Sequence, residues 1–144
     1  MTDKIAEKHI RSICELGRKF SDATVFMHEA IAQRVGLTGT DHKYLSLLLQ
    51  NGAMTAGHLS KLTGLTTGAI TGLVDRLERK NLVKREFNED DRRKVIIVPN
   101  YNTATKLFGN TYSKLQNKFV NILSKLTENE RQVIEKYLLS TIDV

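Results

Sequence analysis

Apolar positions along this chain repeat with two different periods. Between residues 3 and 35, Ile10, Ile13, Gly17, Phe20, Thr24, Met27 and Ile31 recur at steps of three and four. That spacing follows one face of an α-helix. Leu16, Ala23, Phe26 and Ala30 add a second stripe. A face this wide packs against two different surfaces rather than one. Gly36 and Gly39 are read as ending the helix, since glycine supplies a helix C-cap. Thr40 or Asp41 is read as capping a second helix that runs to about Gln50, with Tyr44, Leu45, Leu47, Leu48 and Leu49 inside it. Asn51-Gly52 marks a turn. Thr55 caps a short helix with core residues Leu59 and Leu62, and Gly64 makes the next turn. Thr66 caps a further helix that places Ile70, Leu73, Val74 and Leu77 on one side. The pattern then changes to strands, Leu82 to Phe87 and Lys94 to Val98. Val95 to Val98 is β-branched throughout, and Pro99 is read as its stop.

The last third returns to helical spacing. Phe108, Tyr112, Leu115, Phe119, Ile122 and Leu126 step by four and three in alternation, a heptad seam. Thr127-Glu128-Asn129-Glu130 is a capping box, so a new helix begins there. It carries Val133, Ile134, Tyr137, Leu138 and Ile142. The order predicts a mostly α (α+β) fold. A winged helix-turn-helix over residues 38–99 is flanked by a helical region made of residues 1–37 and 100–144. The outer helices carry more apolar face than a unit of that size covers, and a second copy of the chain is the simplest outlet. Ile10, Ile13, Phe20, Phe108, Tyr112, Leu115, Phe119 and Ile122 are therefore expected at a homodimer interface. The alternative is a single intramolecular helical bundle.

Charge sharpens this picture only locally. The 144 residues carry a net charge of +6. Residues 38–99 hold ten Lys/Arg against seven Asp/Glu, an excess of +3. The cluster Arg92-Arg93-Lys94, between the two strands, matters more than the total. No run of about 18 apolar residues is present, so no membrane span is expected. The opening MTDKIAEKH lacks the apolar core of a secretory signal. A single cysteine excludes an internal disulfide framework and suits a reducing compartment, so a cytoplasmic location is expected.

The helix Thr66 to Lys80 carries the chemistry. With Ile70, Leu73, Val74 and Leu77 inward, the opposite face is Gly68, Thr71, Gly72 and Asp75, with Thr67 and Arg76 on its flanks. Each glycine costs about 1 kcal/mol in a helix relative to Ala. On an outward face it lets the backbone approach another surface, here the floor of a DNA groove. Thr67 and Thr71 could donate to phosphates or bases, or meet a thymine methyl. Neutral drift on a solvent face is the alternative. At the tip between the strands, Arg92 and Arg93 could reach a minor groove, or serve only as a solvated turn. Glu89, Asp90 and Asp91 orient the arginines or shape the turn as Asx caps.

The segment LTTGAITGLVDRLERKNLVKREFNEDDRRKVIIV resembles the core of the MarR family of bacterial transcriptional regulators. The likeness rests on Asp75-Arg76-Leu77-Glu78 ending the second helix, on Asn81-Leu82-Val83, and on the wing motif Asp91-Arg92-Arg93. The helix order extends it over nearly the whole chain. One departure is Val98-Pro99-Asn100, where family wings usually run into Leu-Thr and a glycine-containing helix start. The resemblance implies a DNA-binding repressor, a homodimer with interlocked outer helices acting on a pseudo-palindromic operator. It implies Arg93 as the minor-groove contact, with Asp91 positioning it. It also implies release by a small ligand or oxidant sensed where the dimer helices meet the winged unit. The DNA-binding set is thus Thr66, Thr67, Gly68, Thr71, Gly72, Arg76, Asp91, Arg92, Arg93 and Lys94.

Some members of that family sense peroxides through a lone cysteine in the first helix, which makes Cys14 a redox candidate. By helical phase it adjoins the apolar stripe, so a buried, inert thiol is the expectation. His9, His28, His42 and His58 are scattered, without a metal-ligand spacing. No metal or cofactor is expected. No Gly-rich phosphate loop, nucleophile elbow or zincin motif appears, so no enzyme is expected. The competing class is a winged-helix module for protein contacts alone, which would need neither the outward glycines nor the wing arginines.

Overall fold

The computed structural model describes residues 2–142. Its elements are α1 (Thr2–Gln33), α2 (Gly39–Asn51), β1 (Met54–Thr55), α3 (Ala56–Thr63), α4 (Thr67–Arg79), β2 (Val83–Phe87), β3 (Val95–Pro99), α5 (Tyr101–Ser124) and α6 (Glu128–Ile142). The fold is mostly helical with one small sheet, the winged helix-turn-helix that the sequence pattern predicts. Two compact units are present, one ending at Leu107 and the other beginning at Phe108. Among the described residues, no helix is long and apolar enough to cross a membrane.

In the first unit, Leu45 and Leu48 of α2, Leu59 of α3, Ile70, Leu73, Val74 and Leu77 of α4, and Leu82, Val83 and Ile97 are all buried. The sheet is antiparallel in the order β1-β3-β2. β1, just two residues paired with Ile96 and Ile97, was not expected from the sequence. Pro99 does not stop β3 from outside. It is the last residue of that strand, opposite Val83. Asn100 begins the following helix: its Oδ1 accepts the Thr103 N–H at 3.2 Å. A side-chain acceptor there caps the start of the helix.

Local caps set most boundaries. Thr55 Oγ1 accepts the His58 N–H at 3.1 Å, and Gly64 closes α3 in the left-handed region at φ 71°. The end of α4 has two crossed bonds, Leu82 N–H to the Leu77 carbonyl and Asn81 N–H to the Glu78 carbonyl, both 2.9 Å. This Schellman arrangement holds Asn81 at φ 56°, which Asn tolerates. The box at Thr127 is reciprocal: Glu130 N–H to Thr127 Oγ1 at 3.2 Å, Thr127 N–H to Glu130 Oε2 at 2.8 Å.

Three local expectations need correction. The second helix is capped by Thr38, whose hydroxyl accepts the Asp41 N–H at 3.1 Å, not by Thr40 or Asp41. Gly39 does not end α1 but opens α2. Its N–H donates to Glu29 Oε2 at 2.8 Å, and a Cβ there would lie 3.0 Å from the α1 backbone, so only glycine fits. Leu62 is not a core residue, being 49% exposed. One eight-residue helix has too few positions to fix its face by period alone.

The outer helices leave large apolar surfaces open. Every residue from 3 to 23 of α1 is exposed, including Ile10, Ile13 and Phe20. Phe119 and Ile122 of α5 are exposed, as are Val133, Leu139 and Ile142 of α6. Tyr112 and Leu115 are partly covered. Phe108 is only 1% exposed and stacks on Tyr112 with ring centroids 5.7 Å apart. It is buried within the chain itself and adds nothing to the open face.

Candidate nucleic-acid interface

The interface is built on α4. Thr66 precedes it with extended backbone, and its hydroxyl accepts the Ala69 N–H at 3.2 Å. Burial of Ile70, Leu73, Val74 and Leu77 turns Thr67, Gly68 and Thr71 to the surface. The position a Cβ would take on Gly68 has nothing within 4 Å. No packing within the chain demands glycine there, although glycine weakens the helix. At Gly72 a Cβ would lie 3.2 Å from Arg76 Nη1, so there an internal neighbour contributes to the choice. The Thr71 hydroxyl donates to the Thr67 carbonyl at 3.0 Å, leaving its oxygen to act as an acceptor.

Arg76 is anchored in a way the sequence did not reveal. Its Nε and Nη2 donate to Asp41 Oδ2 and Oδ1, both at 2.8 Å. Asp41 is 1% exposed, whereas the Arg76 side chain is 47% exposed. Such a bidentate pair is directional as well as strong. It ties α4 to α2 and satisfies a carboxylate that could not stay buried unpaired. Beside it runs a cleft of about 310 Å³, lined by Thr40, Asp41, Tyr44, Gly68, Gly72 and Arg76 among others. The bidentate geometry leaves Nη1 of Arg76 outside the pairing.

The wing, residues 88–94 between β2 and β3, is shaped by its acids. Asn88 Oδ1 accepts the Asp90 N–H at 3.0 Å, and Asp91 Oδ1 accepts the Arg93 N–H at 3.0 Å. Lys94 N–H donates to the Asp91 carbonyl at 3.0 Å. The first two are Asx turns and the third is a backbone turn bond. Asp91 thus holds Arg93 by its backbone, and Arg92, Arg93 and Lys94 are all exposed. Arg85, on β2, was missed by the sequence reading. It pairs with Asp75 and Glu78 on α4.

A helix capped by Thr66, an open glycine on its exposed face and an arginine-bearing hairpin now stand together. The profile of the MarR family matches residues 35–94. Over 134 residues the chain is 38% identical to YcgE of Bacillus subtilis (strain 168), an uncharacterised HTH-type transcriptional regulator. That alignment covers 93% of this chain and 86% of the relative. The chain belongs to the MarR family.

Solved structures agree in fold. A MarR family protein from Bacillus stearothermophilus matches with a TM-score of 0.72 at 26% identity, covering 95% of each chain. A mutant MarR from E. coli, complexed with operator DNA, matches with a TM-score of 0.59 at 23% identity, over 93% of this chain and 95% of that one.

Two further features of this MarR-family chain lie between α1 and α2. One is a cavity of about 550 Å³ whose walls include Phe20, Thr24, Val25, His28, Lys43 and Tyr44. The other is a histidine pair, His28 and His42, with their Nδ1 atoms 2.6 Å apart. The fold gathers two of the scattered histidines, because α1 and α2 pack side by side. Among the described residues no group of three His, Cys, Asp or Glu is placed to hold a metal ion. Cys14 is exposed in the chain, not buried as its helical phase suggested, because the stripe it adjoins is itself uncovered.

At 2.6 Å one Nδ1 must donate and the other accept, so protonating both rings sets N–H against N–H. Burial, and then the charge of Lys43, lowers the pKa of His28. Burial, and then His28, lowers that of His42 to about 4. The folded protein therefore binds fewer protons than the unfolded chain between about pH 6.5 and 4. The stability contributed is present above about pH 6.5 and is lost as pH falls towards 4. Urea midpoints at pH 7 and 4.5 should differ more for the native protein than for His42→Gln. Equal shifts in the two proteins would contradict this.

Proposed function

We propose that the protein is a DNA-binding transcriptional regulator, a repressor acting from the cytoplasm as a homodimer on a pseudo-palindromic operator. The observation that carries this is the exposed face of α4, where Gly68 meets only open space beside Thr67 and Thr71. A face that met only water would gain from alanine there. One that approaches a groove floor gains from glycine. In this reading residues 38–99 form the DNA-binding part, and residues 1–37 and 100–144 form the dimer. Thr66, Thr67, Gly68, Thr71 and Gly72 meet the major groove. Arg76, held by Asp41, meets phosphate. Arg93 enters the minor groove, with Asp91, Arg92 and Lys94 shaping the wing around it. Dimerisation draws on the open faces of α1 and α5–α6.

The cavity between α1 and α2 is the proposed effector site. Phe20 and Val25 offer an apolar wall, and Lys43 and Tyr44 offer a cation and a hydroxyl. A small, mostly apolar molecule with an anionic group suits it. It touches the helix that carries Asp41, and so adjoins the anchor of α4. Cys14 is kept as the site of an alternative, oxidative trigger.

Fluorescence anisotropy with a labelled duplex tests the DNA reading. Log affinity should fall linearly with log salt, by about 0.9 for each phosphate neutralised. The double variant Asp41→Asn/Arg76→Gln, which removes the arginine without leaving a carboxylate buried unpaired, should weaken all sequences alike and lower that slope by about one, whereas Thr71→Ala should change sequence preference. Binding that does not respond to salt would contradict the proposal.

A further inference from the structure

We propose that Arg85 is a positioning residue for DNA binding: it cancels the two carboxylates on the exposed side of α4. This rests on the DNA-binding reading and deepens it. Arg85 Nη2 lies 2.6 Å from Asp75 Oδ1, and Nη1 lies 3.2 Å from Glu78 Oε1. Nη2 also donates to the Thr71 carbonyl at 3.4 Å, and the Arg85 backbone N–H donates to Glu78 Oε2 at 3.2 Å. Thr71, Asp75 and Glu78 are spaced by four and three, so they form one stripe along α4. A single guanidinium from β2 thus spans two turns of the helix. The Arg85 side chain is 23% exposed, while Asp75 and Glu78 remain nearly half exposed.

Charge on α4 matters because of what that helix would approach. Duplex DNA carries one negative charge per roughly 1.7 Å of axis. Two uncompensated carboxylates on the stripe that begins at Thr71 would face that field. The planar fork of arginine serves both acids and a carbonyl at once, which the point charge of a lysine cannot do. The strand that carries Arg85 continues through Phe87 into the wing.

The test compares Arg85→Met, Arg85→Lys and the triple variant Arg85→Met/Asp75→Asn/Glu78→Gln on one duplex bound by the native protein. Thermal melting of each is recorded alongside. Arg85→Met should bind roughly tenfold more weakly, or worse. Arg85→Lys should fall between it and the native protein. The triple variant should regain most of the affinity, because the charges left bare by Arg85→Met are gone. A merely structural role for Arg85 would leave the triple variant as weak as Arg85→Met, and that result would overturn the proposal. Native affinity in Arg85→Met would do the same. Should Arg85→Met fail to fold, Arg85→Lys decides: native affinity there overturns the proposal, and reduced affinity with native melting supports it. Failure of the native protein to bind any duplex is a separate outcome, which removes the DNA-binding reading and this inference together.

Discussion

Replacing Phe119 and Ile122 together by Asp is expected to leave no folded protein, rather than a stable monomer. Both side chains lie open on α5. So do twenty-one consecutive residues of α1, from Asp3 to Ala23. Helices of this kind draw most of their stability from packing an apolar face, not from propensity. In the proposed dimer that packing comes from the second chain, so folding and association are one event. An unpaired carboxylate buried in such an interface costs on the order of several kcal/mol. Two of them approach the whole stability of a typical domain, about 5–15 kcal/mol. Circular dichroism and sedimentation at low micromolar concentration check this. A well-folded monomer, from either the variant or the native protein, would contradict it.

Arg93→Ala is expected to lower DNA affinity by roughly ten- to a hundredfold, about 1–3 kcal/mol, while leaving the melting temperature nearly unchanged. The wing tip buries little, so its loss is felt in binding and not in folding. Minor-groove arginines gain most where a narrow A·T tract concentrates negative potential, so the loss should be largest on sites with A·T-rich flanks. Asp91→Ala should give a smaller loss in the same direction, because Asp91 Oδ1 holds the Arg93 backbone N–H at 3.0 Å. Arg92 is adjacent and also exposed. If Arg92→Ala cripples binding and Arg93→Ala does not, the wing contact belongs to Arg92. Anisotropy titrations of the three variants on one duplex decide between them.

The helices and their caps were legible where the determining residues are close in sequence. The inward face of α4 follows from period alone, and Thr55, Thr66 and Thr127 each find an acceptor's partner three residues on. The start of α2 was misplaced although its cap is local: Thr38, Thr40 and Asp41 all stand within four positions, and period alone does not choose among them. β1 has only two residues and so shows no period. The outward residues of the candidate site were legible for the same reason as the core: fixing one face of a helix fixes the other. What escaped were the charges that bridge elements. Asp41 and Arg76 are 35 residues apart, and Arg85 and Asp75 are ten apart across a turn. Nothing in local pattern distinguishes a carboxylate that will be buried against a distant arginine from one that caps a helix. His28 and His42 met for the same reason, through packing of α1 on α2.

Operator recognition by the purified protein is measured by selecting duplexes from a randomised pool. The pool should become enriched in a pseudo-palindrome whose half-sites are centred about 10 bp apart, or a multiple of that, bound by two chains. A pool that shows no enriched motif after repeated rounds, with the protein folded throughout, would contradict it.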